Sequence, residues 1–189
     1  MNIGKKGIRA FGVAESFRKP DKLSTIAGIV MRRDLVIDGL AFGCSTVGGD
    51  DSTQTILSMF SSLARNDINC IILDGLIISM YNIIDGYLIH NETRVPVIAI
   101  SYHESSGLTD HIIHLFEAEQ RNTKLDQYSK IGERDQIVLR TGKNLFIRVW
   151  GINCQRAVKV LDAFTLQGSI PEPVRVAKLF ARARSVYKG

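Results

Sequence analysis

Two short segments of the chain are almost continuously apolar, and they constrain its fold more than any other feature. Residues 70–73 form the first segment, which runs into Asp74-Gly75, and residues 96–101 form the second. Strands of this kind are covered on both faces, which is typical of parallel strands joined by helices. Residues 77–89 lie between them and are predicted to form such a helix. The pattern therefore predicts an α/β domain.

Three further strands are predicted ahead of this region, because three segments are rich in β-branched residues. They are residues 8–15, 24–33 and 36–44. The links between them are short enough for hairpins, so we expect an antiparallel meander. Residues 50–52 then offer N-cap side chains to an amphipathic helix that ends near Arg65.

The remaining elements complete one domain. We predict a helix at residues 108–119, followed by a polar segment at 120–135 to which no structure is assigned. A β-hairpin is predicted at residues 136–150, and two helices are predicted at 153–164 and from 171 onward. No linker or repeat interrupts the chain, so residues 1–189 are predicted to be a single domain. Three antiparallel strands, a helix and then parallel strands follow the element order of the ribonuclease H-like fold. The fold class expected is therefore α/β, with a mixed sheet flanked by helices.

Several classes of protein are excluded by composition. No run approaches the roughly 20 apolar residues that a bilayer span requires, and the first residues lack the apolar core of a signal peptide. We therefore expect a cytoplasmic protein with no membrane partner. The three cysteines are widely spaced and include no C-x-x-C pair, so neither a disulfide framework nor a zinc site is predicted.

Positive charge is concentrated in the last third of the chain. Residues 121–189 carry 14 Lys or Arg against 5 Asp or Glu, whereas residues 1–120 carry 10 against 14. A cationic segment can bind a polyanion such as DNA or RNA, because neutralised phosphates release counterions. The alternative is a solvated basic surface that binds nothing in particular.

The last helix supplies the basic residues expected to contact nucleic acid. They are Arg175, Lys178, Arg182 and Arg184, with Lys188 beyond them. We predict that the large apolar side chains of this helix form its buried face, which leaves the cationic groups free to meet phosphates. These apolar residues are Val176, Leu179, Phe180 and Ala183.

Four acidic residues are candidates for a metal site. Glu15 ends the first predicted strand and Asp74 follows the fourth, while Asp50 and Asp51 lie at the first helix start. If the first and fourth strands are neighbours, these carboxylates converge, and like charges ~4 Å apart repel by ~4 kcal/mol at an effective dielectric of 20. Mg²⁺ or Mn²⁺ removes that repulsion and can activate water for phosphodiester cleavage. The alternatives are helix capping by at least one of the two aspartates and a simple turn at Asp74.

Several segments resemble, in order and across essentially the whole chain, an archaeal family catalogued as domain of unknown function number 99. They are residues 12–17, 46–53, 73–75, 81–85 with 96–98, and 170–175. That family is similar to endonuclease V on a ribonuclease H-like fold. The resemblance implies the architecture predicted above and a metal-dependent nuclease ancestry.

The resemblance also implies which acids hold the metal. In endonuclease V the acids lie on the first strand, before the first helix and after the fourth strand, which corresponds here to Glu15, to Asp50 or Asp51, and to Asp74. Many family members have Gly-Ile-Asp-Asp on the first strand, where this chain has Ala14 and Glu15 in place of the two aspartates. The Pro-Tyr-Ile-Pro-type wedge of endonuclease V has no counterpart in residues 42–49, so recognition of a deaminated base is not implied.

Two functions follow from these observations. The first is a metal-dependent nucleic-acid phosphodiesterase related to endonuclease V, with Glu15, Asp51 and Asp74 as catalytic metal ligands and the basic last helix on the phosphates. The second is a non-catalytic member of the same fold that binds nucleic acid or a protein. Ancestry alone does not decide between them.

Overall fold

A seven-stranded mixed sheet forms the centre of the molecule in the computed structural model, which describes residues 7–105 and 107–187. The strands are β1 (Arg9–Ser16), β2 (Leu23–Arg32), β3 (Ile37–Thr46), β4 (Cys70–Leu73), β5 (Ile77–Ile78), β6 (Asn82–Ile83), β7 (Val97–Ser101), β8 (Asp135–Val138) and β9 (Asn144–Trp150). The order across the sheet is β3-β2-β1-β4-β7-β9-β8, and β5 and β6 form a separate hairpin.

The sheet topology confirms the predicted ribonuclease H-like architecture. Strand β1 pairs with β2 antiparallel and with β4 parallel, and β4 pairs with β7 parallel. All four residues of β4 are buried, as expected for a strand between two layers of helices. The parallel register of β1 and β4 ends at Val13 and Leu73, so the residues that follow both strands lie at the same edge of the sheet.

Helices cover both faces of the sheet. They are α1 (Ser52–Ser62), α2 (Gly86–Thr93), α3 (Thr109–Leu115), α4 (Ala118–Lys130), α5 (Cys154–Phe164) and α6 (Glu172–Val186). One core lies between the sheet and α1 and α2, around Phe11 and Ile56. The other lies between the sheet and α5 and α6, around Ile72 and Phe164. In the part of the chain described, no helix is long and apolar enough to cross a membrane.

The helix predicted over residues 77–89 is wrong for its first half. Residues 77–83 form the β5–β6 hairpin, and Ser79, Met80 and Tyr81 adopt left-handed φ angles of 42°, 57° and 68°. Helix α2 begins only at Gly86, because the Asp85 side chain accepts a hydrogen bond from the Leu88 N–H and caps it. The isoleucine-rich spacing of this segment suits both a short hairpin and a helix.

The polar segment from 120 to 135, for which no structure was predicted, contains most of α4. This helix buries only Lys124 among its residues, so it lacks the apolar periodicity that marks an amphipathic helix. Its sequence is nevertheless rich in strong helix formers. An ion pair between Lys130 and Asp126, one turn apart, adds to it.

The buried face predicted for α6 is also wrong. Its buried residues are Glu172, Pro173, Val174, Ala177, Ala181 and Ser185, whereas Leu179 is 53% exposed and Phe180 is 37% exposed. Helix α6 packs very closely on β1, since a Cβ added at Gly12 would lie 2.4 Å from the carbonyl carbon of Pro173. Only small side chains fit such a contact, so the large apolar residues point away from it.

Candidate active site

Glu15 and Asp74 lie at the edge of the sheet where the two central parallel strands end. The Asp74 N–H donates to the Val13 carbonyl across this edge at 2.9 Å. Both acidic side chains line a cleft of about 440 Å³, which Lys178 of α6 and the β5–β6 hairpin also line. Different elements hold the two carboxylates. Ser79 of the β5–β6 hairpin donates to Glu15, and Lys178 of α6 donates to Asp74.

Both oxygens of Asp74 have hydrogen-bond partners. The Tyr102 hydroxyl donates to Oδ1 at 2.7 Å, and the Lys178 ammonium donates to Oδ2 at 2.9 Å. The Asp74 side chain is only 9% exposed. Burial, together with the charge of Asp74, raises the pKa of Tyr102 well above its usual range, so the phenol keeps its proton and remains a donor. Asp74 is therefore fixed in one orientation.

Glu15 is less well satisfied. Its Oε1 accepts from the Ser79 N–H at 3.2 Å, whereas its buried Oε2 has no hydrogen-bond partner among the described residues. Burial raises the pKa of Glu15, and the nearby charge of Asp74 adds to the rise, while hydrogen bonding from Ser79 and the charge of Lys178 oppose it. An unpaired carboxylate oxygen in a cleft shared with a second carboxylate suits a hard divalent cation, which prefers oxygen ligands.

Asp51 is engaged outside this pair. Its carboxylate accepts from the Thr46 N–H at 2.9 Å, from the Thr46 hydroxyl at 2.8 Å and from the Asn82 amide at 2.7 Å. Burial acts to raise the pKa of Asp51, but the hydrogen bonds from Asn82 and Thr46 outweigh it and lower the pKa. Although Asp51 occupies the N-cap position of α1, its side chain caps no N–H of that helix.

Asp50 pairs with a buried lysine. The Lys124 ammonium donates to Asp50 Oδ1 and to the Gly49 carbonyl, both at 2.6 Å. The Lys124 side chain is 1% exposed, while that of Asp50 is half-exposed. This contact attaches α4 to the segment that precedes α1.

The structure thus brings together two of the four predicted metal ligands, Glu15 and Asp74. Within residues 7–105 and 107–187, no three Asp, Glu, His or Cys side chains form a group that could hold a metal ion. The β5–β6 hairpin connects Asp51 to the cleft, because its Ser79 N–H donates to Glu15 and its Asn82 amide donates to Asp51.

The basic residues of α6 have different surroundings. Lys178 turns into the cleft, and Arg175 forms hydrogen bonds to Glu172 on its own helix. Arg182 and Arg184 are exposed, and the Arg184 guanidinium lies 4.9 Å from the ring centroid of Phe42. Lys188 lies outside the described residues.

Sequence reasoning missed the residues that hold the acids. Tyr102 gave no signal, because a tyrosine after a buried strand has no distinctive pattern. Ser79 and Asn82 were assigned to a helix. Lys178 is recognisable from the sequence as a basic residue, but nothing in the sequence links it to Asp74, which is 104 positions away.

Comparison with known proteins assigns the family. The family model described as endonuclease dU matches residues 6–185. The chain belongs to the endonuclease dU family. A UPF0215 protein of Pyrobaculum aerophilum is 32% identical over 171 residues, which cover 90% of this chain and 91% of that protein. A UPF0215 protein of Methanosarcina mazei is 31% identical over 180 residues, which cover 94% and 90%. The predicted archaeal, endonuclease V-like family is therefore confirmed.

Solved structures share the fold of this endonuclease dU family member. A protein of unknown function from Archaeoglobus fulgidus has a TM-score of 0.79 at 24% identity, and the match covers 96% of this chain and 99% of that one. Human ENDOV has a TM-score of 0.66 at 14% identity, covering 98% and 87%. Endonuclease V of Ciona intestinalis, solved with a 24mer DNA containing an inosine followed by a ribo-adenosine, has a TM-score of 0.62 at 13% identity, covering 95% and 86%. At these identities the likeness shows the fold.

Proposed function

We propose that the chain is a divalent-cation-dependent nuclease that cleaves phosphodiester bonds of nucleic acid. The observation that carries the proposal is the cleft at the ends of β1 and β4, where Glu15 and Asp74 meet. There Glu15 Oε2 is buried and has no hydrogen-bond partner in the part of the chain that the structure describes. Membership of the endonuclease dU family and the endonuclease V-like fold support a nuclease role.

Glu15 and Asp74 would hold the ion, with Mg²⁺ or Mn²⁺ as the expected metal because both ligands are carboxylates. We propose Asp51 as the third acid, since the β5–β6 hairpin joins it to Glu15 and its hydrogen bonds keep it ionised. When bound, such an ion lowers the pKa of water and stabilises the charge that develops on a phosphate oxygen. Tyr102 and Lys178 orient Asp74, and the Ser79 N–H orients Glu15.

DNA is the substrate class to test first. The Ciona intestinalis relative in fold was solved with an inosine-containing DNA, and the family description carries the term dU. Arg182 and Arg184 lie exposed on α6, the helix that also supplies Lys178 to the cleft. We propose that they contact the phosphates of the bound strand.

A cleavage assay with matched variants tests the function. End-labelled DNA that is undamaged or carries dU or inosine, and the corresponding RNA, are incubated with Mg²⁺, Mn²⁺ or EDTA. We expect metal-dependent cleavage by the wild type and none by Asp74→Asn or Glu15→Gln. Asp126→Asn is the control, because Asp126 is exposed in an ion pair on α4. No cleavage of any substrate by the wild type, or equal cleavage in EDTA, contradicts the proposal.

The second candidate function is non-catalytic binding of nucleic acid or a protein by the same fold. It is favoured by the ion pair between Lys178 and Asp74 and by the absence of a three-acid group in the described ranges. Binding of DNA with equal affinity by the wild type, Glu15→Gln and Asp74→Asn, without cleavage by any of them, would support it.

A further inference from the structure

The ammonium group of Lys178 lies in the cleft beside Asp74. It lies 2.9 Å from Asp74 Oδ2 and 5.9 Å from the ring centroid of Tyr102. The remaining Asp74 oxygen accepts from Tyr102. Each Asp74 oxygen therefore already accepts one hydrogen bond from the chain, whereas the only unpaired carboxylate oxygen described in the cleft is Glu15 Oε2.

The packing of helix α6 on strand β1 determines where Lys178 lies. Pro173, near the start of α6, packs directly on Gly12 of β1, and Ala177, next to Lys178, is fully buried. The helix is thus fixed against the strand that carries Glu15, and Lys178 faces Asp74 as a consequence. The fold itself therefore places the Lys178 ammonium in the cleft.

Charge balance favours one ion over two. The charged groups that line the cleft are two carboxylates, Glu15 and Asp74, and one ammonium, so one net negative charge is left for a divalent ion to neutralise. Two divalent ions beside the same ammonium would leave an excess of positive charge close together, which is unfavourable at short range.

Building on the proposed function, we propose that the cleft holds one divalent ion on the Glu15 side and that Lys178 provides the second positive charge at Asp74. Lys178 is then a positioning residue, which holds Asp74 and compensates its charge where a second ion would otherwise bind. A phosphate that enters the cleft would meet one metal ion, held beside an Asp74 whose charge Lys178 compensates.

The number of ions bound tests this inference without reference to activity. Full-length protein is titrated with Mn²⁺ in the absence of DNA, and free and bound Mn²⁺ are measured by electron paramagnetic resonance. We expect one ion per chain for the wild type and for Lys178→Arg, which keeps the charge. For Lys178→Gln we expect a second, weaker ion. Lys143→Gln removes a charge from an exposed turn and should leave one ion.

Kinetics give a second readout. We expect Lys178→Gln to lower kcat by roughly 100-fold, the usual effect of losing one electrostatic contact in an active site. KM for DNA should change little, because Lys178 is paired with Asp74 rather than with the DNA. Lys178→Arg should recover most of kcat, and circular dichroism confirms that each variant is folded.

The outcomes separate the inference from the proposed function. Two ions on the wild type, or an unchanged stoichiometry and kcat for Lys178→Gln, overturn the inference while leaving the nuclease in place. An ion that binds Lys178→Gln but not the wild type shows that Lys178 blocks the metal, and it also overturns the inference. Absence of both Mn²⁺ binding and cleavage in every variant overturns the proposed function itself.

Discussion

Burial of the Glu15 carboxylate makes the free energy of folding less favourable, because hydrogen bonds within the chain satisfy only one of its two oxygens. A buried polar atom without a partner destabilises a protein by about 1–3 kcal/mol, and Glu15 Oε2 is such an atom among residues 7–105 and 107–187. Burial raises the pKa of Glu15 above 4.5, so the folded chain holds this proton more tightly than the unfolded chain does. Stability is therefore greatest below the unfolded-state pKa, falls as the pH rises through the interval between the two values, and stays reduced above it.

Glu15→Gln should remove this pH-dependent loss, because glutamine does not ionise. In EDTA, we expect the Tm of the variant to exceed that of the wild type by a few degrees at pH 7, and the difference to shrink or reverse near pH 4. Thermal unfolding followed by circular dichroism measures both values. A Tm difference that is the same at the two pH values would show that the carboxylate is solvated in the folded chain.

At the scale of the element, helix α4 depends on a single buried side chain. Lys124 donates to Asp50 and to the Gly49 carbonyl, and α4 packs otherwise on α3 and β6. Lys124→Met keeps the length of the side chain but loses these bonds, each of which is worth about 1.5–3 kcal/mol when a donor is charged. Because the two bonds together are worth about 3 kcal/mol or more, we expect amide hydrogen exchange in α4 to become at least ~100-fold faster, with α5 unchanged.

Lys130→Met is the control for this experiment. Lys130 also lies on α4, but its ion pair with Asp126 is exposed, and such pairs contribute little. If exchange in α4 rises equally in both variants, or if α5 opens together with α4 in Lys124→Met, Lys124 does not act as a local attachment.

The packing of α6 on β1 gives a second prediction for an element. Gly12→Ala places a methyl group where Pro173 already lies, and overpacking of this kind costs about 1–3 kcal/mol. We expect Tm to fall by several degrees. Gly7→Ala serves as the control, because no described residue lies within 4 Å of a Cβ added at Gly7. A Tm for Gly12→Ala equal to that of the control would mean that α6 can move away from the sheet freely.

Elements whose structure follows from the pattern of neighbouring residues could be predicted, whereas those determined by packing between distant residues could not. The apolar runs and the acids that follow β1 and β4 predicted the central sheet and the meeting of Glu15 with Asp74, because strand pairing determines both. The buried face of α6 could not be predicted, since close packing on Gly12 selects alanines over Leu179 and Phe180. The contact between Asn82 and Asp51 could not be predicted for a similar reason, because it depends on a turn of left-handed residues at positions 79–81.

At the scale of the whole molecule, the excess of positive charge in residues 121–189 is expected to control DNA affinity. Arg182 and Arg184 are exposed, whereas Lys178 and Arg175 are paired with acids. If both exposed arginines contact duplex phosphates, Arg182→Gln with Arg184→Gln should flatten the log–log salt dependence of binding by about 1.8, at about 0.9 per contact.

Fluorescence anisotropy at several salt concentrations, in EDTA to prevent cleavage, measures this slope. The control removes two cations from elsewhere in the basic third, as Lys143→Gln with Lys159→Gln, and should leave the slope close to that of the wild type. A slope that is unchanged by the arginine substitutions would assign the basic surface of α6 to something other than phosphate.

The contact between Gly12 and Pro173 also has an evolutionary consequence. Each residue occupies space that the other would need in order to become larger, so neither position can change independently. A relative with a side chain at position 12 would need a compensating change near position 173, and the two positions would vary as a pair. Gly12 lies on the strand that carries Glu15, and Pro173 lies on the helix that carries Lys178. Substitutions at this pair would therefore change the distance between the Glu15 carboxylate and the Lys178 ammonium without any substitution in the cleft itself.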